Sequence, residues 1–180
     1  MKLQTTNYKF ASSADKLPTN KGFTLIETFV AITILLIAMT GPLYLVTKGL
    51  ATSKMAKGQI TSMYLAQEAI EYIRNIRDGN ILNGVGWLSS LNDCIGQKCK
   101  IDSPARQISS CSSGTCVNLK YNSTSHLYGY TSGENSRFKR EIEITEISSN
   151  KEFEIIVNMF WSDGPNTRQF TVKERLMNWQ

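Results

Sequence analysis

Glu27 stands alone in the run from Phe23 to Val46, 24 residues whose only charge is that carboxylate. An acid inside a membrane-length segment costs about 2.5–3.5 kcal/mol on insertion scales, so it usually has a partner or a task. The chemistry open to it is pairing with an amine or, near a membrane edge, contact with the headgroup region. Four cysteines make a second group, with four residues between Cys94 and Cys99 and four between Cys111 and Cys116. This spacing suits disulfides in an oxidising compartment, or a four-thiolate zinc site of the C-x4-C…C-x4-C kind. Disulfides are the expectation for an exported segment. Four cysteines admit three pairings. Cys94–Cys99 with Cys111–Cys116 is preferred because each short loop closes at small entropic cost.

Other residue types offer less. Glu141 with Glu143, and Glu152 with Glu154, alternate along strand-like segments. There they form either a solvated face, which is the expectation, or an oxygen cluster for calcium. His126 is the sole histidine, which suits a surface or core residue better than a ligand. Trp87, Trp161 and Trp179 are expected to pack rather than to stack on bases. Lys98, Lys100, Arg106 and Lys120 lie near the cysteines and are the candidates for a nucleic-acid patch. The chain after Val46 nevertheless carries 16 basic against 13 acidic side chains, so nucleic acid is not an expected partner. No phosphate loop, nucleophile elbow or metalloprotease motif occurs, and no catalytic residue, metal or cofactor is assigned.

The elements that must carry these residues follow from pattern. Residues 1–22 are polar, show no apolar period and are expected to hold no stable fold. A helix over Phe23–Val46 would reach roughly 36 Å, longer than the ~30 Å hydrocarbon core. The leader holds Lys2, Lys9, Lys16 and Lys21 against Asp15, a basic flank that places the N-terminus in the cytoplasm and everything from Lys48 outside it. Loss of the leader would lower the formal charge from +5 to +2, so the basic balance is largely a leader property. A secretory signal peptide cut further along is disfavoured, because the apolar core is too long and contains Glu27. Gly41-Pro42 is expected to interrupt the helix, as a simple kink or as a segment that unwinds on assembly.

From Ala51 to Asp78 the apolar spacing stays helical. Leu65, Ala66, Ala69, Ile70, Tyr72, Ile73 and Ile76 share one half of the wheel, and Glu68, Glu71, Arg74 and Asn75 the other. Arg74 and Asp78 are positioned for an i,i+4 pair. Gly49 and Gly58 weaken this helix without ending it, and Gly79 is placed to cap its C-terminus in the left-handed conformation. Residues 79–136 read as loop-rich. Strands follow at "FKREIEITEI", with Phe138, Ile142 and Ile144 on one face, and at "FEIIVNMFW" and "RQFTVKERLM". Short links make these three an antiparallel meander, and the amphipathic helix can cover its apolar face. The fold class is α+β: one long N-terminal helix, transmembrane then amphipathic, on a small C-terminal antiparallel sheet.

The stretch "KGFTLIETFVAITILLIA" resembles the processing signal and spine of type IV pilins and type II secretion pseudopilins. The features that carry the resemblance are a basic leader ending in Gly22, then Phe23, then Glu27 four positions on. It implies cleavage between Gly22 and Phe23 by a prepilin peptidase, N-methylation of Phe23, and a role for Glu27 in fixing register by pairing with a freed subunit amine. The implied organisation is a leader over 1–22, a transmembrane and assembly helix over 23–47, and an extracytoplasmic head over 48–180. The implied partners are other pilin or pseudopilin subunits, the prepilin peptidase and N-methyltransferase, an inner-membrane assembly platform and membrane lipid. On this reading the chain is a filament subunit, of the minor class, and not an enzyme. A single-pass protein with an extracytoplasmic binding module, and a DNA-uptake pilin, are the competing readings.

Overall fold

A computed structural model of the chain describes residues 22–178. The expectations for the leader over 1–21 and for Trp179 lie outside the described residues. The chain divides between Thr47 and Lys48 into two units, each with its own character. The helix α1, Leu25–Leu82, begins in the first and ends in the second.

In the first unit α1 is exposed on every side, with Phe29, Ile34, Leu36, Ile37, Leu43 and Leu45 all open. Its threonines turn inward on their own helix. Thr28, Thr33, Thr40 and Thr47 donate their hydroxyls to the carbonyls of Leu25, Phe29, Ile37 and Tyr44 at 2.8–2.9 Å. Hydroxyls satisfied in this way need no outside partner, which suits an apolar surrounding. Of the two forms expected for an interruption at Gly41-Pro42, the unwound segment does not occur, since α1 is helical through Pro42. Proline removes only its own bond to the carbonyl four residues back, and the helical bonds on either side hold the run together.

The second unit holds the packed core. The part of α1 it contains buries Gly58, Ser62, Leu65, Ala66, Ala69, Ile70 and Ile73, positions three and four apart along one face. The expected cap at Gly79 is overturned. Gly79 lies inside the helix, which ends after Leu82 with Gly84 at φ +66°. There the N–H of Val85 donates to the carbonyl of Asn80 at 3.0 Å, and that of Gly84 to Ile81 at 3.1 Å. Those two bonds define a Schellman motif. The helix outruns Gly79 because Asn80 and Ile81 find partners: Asn80 donates its amide to the carbonyls of Trp87 and Ser89, and Ile81 packs on the core. The expected Arg74–Asp78 pair also fails. Arg74 reaches Glu174 and Glu71, while Asp78 pairs with its neighbour Arg77.

Among the described residues, seven antiparallel strands form one sheet. The long strands β5 (Glu134–Ser148), β6 (Glu152–Asp163) and β7 (Asn166–Met177) make the expected meander. The region read as loop-rich contributes four short strands: β1 (Cys99–Asp102), β2 (Gln107–Ser110), β3 (Asn118–Asn122) and β4 (Leu127–Gly129). β3 and β1 pair successively along the second edge of β5, through Asn118↔Lys139 and Cys99↔Ile142. They are three to five residues long, too short for alternation to announce them. Phe138, Ile142, Ile144, Ile155, Val157 and Met159 face α1 in the core.

Candidate functional site

The N-terminal turn of α1 is built from side chains that satisfy its own backbone. Gly22, Phe23 and Thr24 precede the helix, exposed and without regular structure. Thr24 is the N-cap, and its hydroxyl accepts from the Glu27 N–H at 3.3 Å. The Thr-x-x-Glu spacing of a capping box was present in the sequence and went unread. The Glu27 carboxylate sits in the first turn, where the helix dipole favours an anion. Among the described residues it has no ion-pair partner. Gly22, Phe23 and Glu27 are thus gathered within two turns of chain, next to an apolar helix long enough to cross a membrane.

Residues 17–41 match the family model of the prokaryotic N-terminal methylation motif. The chain carries that motif. With the long apolar helix that continues from it, the motif is consistent with a membrane-anchored, type IV pilin-like protein. The match leaves the Lys48–Gln180 unit outside it. No curated protein and no solved structure matches the chain.

Beyond the methylation motif, the head keeps its polar groups occupied. Cys94–Cys99 and Cys111–Cys116 are disulfides, with Cα atoms 4.9 Å apart in each. The first is buried at the junction of a short 3-10 turn with β1, while Cys111 of the second is only half-buried. Three of the four glutamates expected on a solvated strand face, Glu141, Glu152 and Glu154, are ion-paired. Glu152 meets Arg175 at 2.8 Å and Glu154 meets Lys173 at 2.9 Å, both across the β6–β7 ladder. Glu141 is 3% exposed and lies between Lys98 Nζ at 2.8 Å and Lys139 Nζ at 3.0 Å. Burial alone would raise its pKa, but hydrogen bonds from Lys98 and Lys139, with their charges, bring it below the usual carboxylate range.

The cations proposed for nucleic acid are distributed over several elements. Lys98 is engaged by Glu141 and Lys100 lies over the Tyr130 ring at 5.6 Å, while Arg106 occupies the β1–β2 turn and Lys120 sits in β3. His126 accepts or donates at Nδ1 with the Tyr121 hydroxyl, 3.0 Å away in the exposed β3–β4 turn. Trp87 and Trp161 pack as expected, edge-on against Phe153 and Phe170.

Two buried charged residues were missed. Arg140, 1% exposed, donates to the carbonyls of Leu65 at 2.6 Å and Ile101 at 2.7 Å, and so links α1, β5 and β1. Its parity with Phe138 and Ile142 was the available signal. Asp102, 4% exposed, accepts the N–H groups of Tyr130, Thr131 and Ala105 at 2.8, 3.0 and 3.2 Å. Nothing in its local sequence marks it, because its donors lie 28 and 29 residues away as well as nearby.

Proposed function

We propose that the chain is a minor subunit of a type IV pilus or type II secretion pseudopilus filament rather than an enzyme. The observation that carries this is the Glu27 carboxylate, four residues after Phe23 and the only charge in the apolar, exposed stretch of α1 before Lys48, with no ion-pair partner among the described residues. A prepilin peptidase would cut the exposed Gly22–Phe23 bond, and the new Phe23 amine would be methylated. Before assembly, the apolar run holds the subunit in the cytoplasmic membrane with its head on the far side. In the filament, Glu27 pairs with the amine of an adjacent subunit and fixes the stagger of helices that are otherwise free to slide. Attraction between opposite charges is strong in an apolar bundle and falls off with distance, so it favours one stagger over the others. The domains of the mature protein are then residues 23–47 for anchoring and assembly and 48–180 for the exposed head. The assembly platform of the inner membrane and the other pilins are its partners.

Intact-mass analysis of the membrane-extracted protein tests the processing, with a methylated Phe23 as the expected N-terminus. Glu27→Ala tests the assembly role. The variant should insert and mature normally, with insertion eased by about 2.5–3.5 kcal/mol, yet be missing from sheared filaments. Glu27→Gln should rescue little, because size without charge does not attract an amine. Incorporation of the Ala variant at the normal level would reduce Glu27 to an interfacial bystander, as a single-pass binding module would have it.

A further inference from the structure

A groove of ≈ 460 Å³ lies between α1 and the β3–β5 side of the head, within the range of small-ligand sites. Two cations, Lys57 on α1 and Arg137 on β5, line it. Among the described residues neither has a carboxylate within ion-pair distance. That separates them from Lys98, Lys139, Lys173 and Arg175, each of which holds a glutamate. The placement of Arg137 depends on its surroundings. A Cβ at position 58 would lie 3.1 Å from Arg137 Nη2 and 2.8 Å from Trp161 Nε1, so the glycine lets the guanidinium approach α1. The guanidinium also lies over the Phe138 ring, 5.2 Å from its centroid.

Aromatic side chains make the wall of the groove. Tyr121 and Tyr128 have ring centroids 5.0 Å apart, and Tyr128 stands edge-on to Phe138 at 5.7 Å. Glu134 and Asn135, at the start of β5, add a carboxylate and an amide. The groove thus combines positive charge, aromatic rings and both kinds of hydrogen-bonding group.

We propose that this groove binds an acidic saccharide, a sugar unit carrying one carboxylate. Arg137 and Lys57 would take the carboxylate, for which the guanidinium fork is suited. The tyrosine faces would receive the apolar face of the sugar ring, while Glu134 and Asn135 hydrogen-bond its hydroxyls. Against a nucleic acid, the head's 16 basic side chains outnumber its 13 acidic ones by only three, too few for a continuous phosphate track. The site does not require polymerisation, so it can be examined whether or not the chain forms filaments.

The test uses the full chain in detergent, titrated calorimetrically with oligosaccharides containing glucuronate, galacturonate or sialic acid. Their neutral counterparts and a single-stranded oligonucleotide are run beside them. At least one acidic sugar should bind, and its neutral counterpart should bind about tenfold more weakly or not at all. Arg137→Gln and Lys57→Gln should each lower affinity about tenfold, while Lys100→Gln, outside the groove, should leave it unchanged. Lys57 is exposed and carries no packing role, so its variant decides the matter if Arg137→Gln melts early. Failure of every acidic sugar, equal binding of the neutral ones, or unaltered affinity in Lys57→Gln would overturn the proposal. Tighter binding of the oligonucleotide would do the same.

Discussion

Glu141 is closed off from water by the two lysines that neutralise it, Lys98 from the segment before β1 and Lys139 from its own strand. Its pKa is lowered in the folded head, so its contribution to stability is complete above the unfolded value of about 4.3. That contribution is lost as pH falls through the folded value, because the unfolded chain then binds the proton first. Chemical denaturation across pH 2.5–6, roughly one to two units either side of the unfolded value, should therefore show a loss of stability on the acid side. Glu141→Gln should flatten that limb and cost about 1–3 kcal/mol at neutral pH, where two charged hydrogen bonds are weakened. A profile unchanged by the substitution would mean that the lysines are held for other reasons. Strand parity put Glu141 outward, and outward it points. Alternation also places Lys139 on that face, whereas the contact with Lys98, which comes from outside the strand, is one that alternation cannot encode.

At the scale of elements, the end of α1 is the place where pattern and structure part. Gly79 is helical, with open space where a Cβ would go, and Gly84 has a left-handed backbone with equally open space. The two alanine substitutions should therefore act in opposite directions. Gly79→Ala should stabilise the head by about 0.5–1 kcal/mol, since alanine favours the helix and restricts the unfolded chain. Gly84→Ala should destabilise it by about 1–2 kcal/mol, the cost of a Cβ in the left-handed region. Thermal melts followed by far-ultraviolet circular dichroism would compare them. If Gly79 were the cap, the signs would be reversed. Each glycine could have served as the cap on local grounds. The choice fell to Gly84 because the last turn gains the Asn80 bonds to the carbonyls of Trp87 and Ser89.

At the scale of the whole chain, every buried apolar side chain among the described residues lies beyond Thr47, from Leu65 to Leu176. The exposed apolar surface of residues 25–47 needs lipid or other helices, whereas the head encloses its own core. A chain begun at Lys48 should accordingly be soluble without detergent and unfold in one cooperative transition. Its disulfides should map as Cys94–Cys99 and Cys111–Cys116 in non-reducing peptide digests. Reduction should cost about 2 kcal/mol per bridge, the loop-closure entropy of so short a loop. Aggregation of that chain would mean that the core depends on the apolar helix, and crossed peptides would overturn the pairing.

The apolar run, the acid near its start, the amphipathic face of α1 and the three long strands were all legible in the sequence. Each is a periodic or local property, repeated over enough residues to stand above chance. The local disulfide pairing was legible too, because short loops close at little entropic cost. The four short strands, the junction made by Arg140 and the Asp102 staple were decided by tertiary structure. So were the partners of Arg74 and Glu141 and the groove around Arg137. These depend on which distant groups arrive at the same point. Arg140 becomes a core residue only when the carbonyls of Leu65 and Ile101 meet it, 75 and 39 residues away. A buried charge is tolerated where such partners converge, and that convergence is a property of the folded chain.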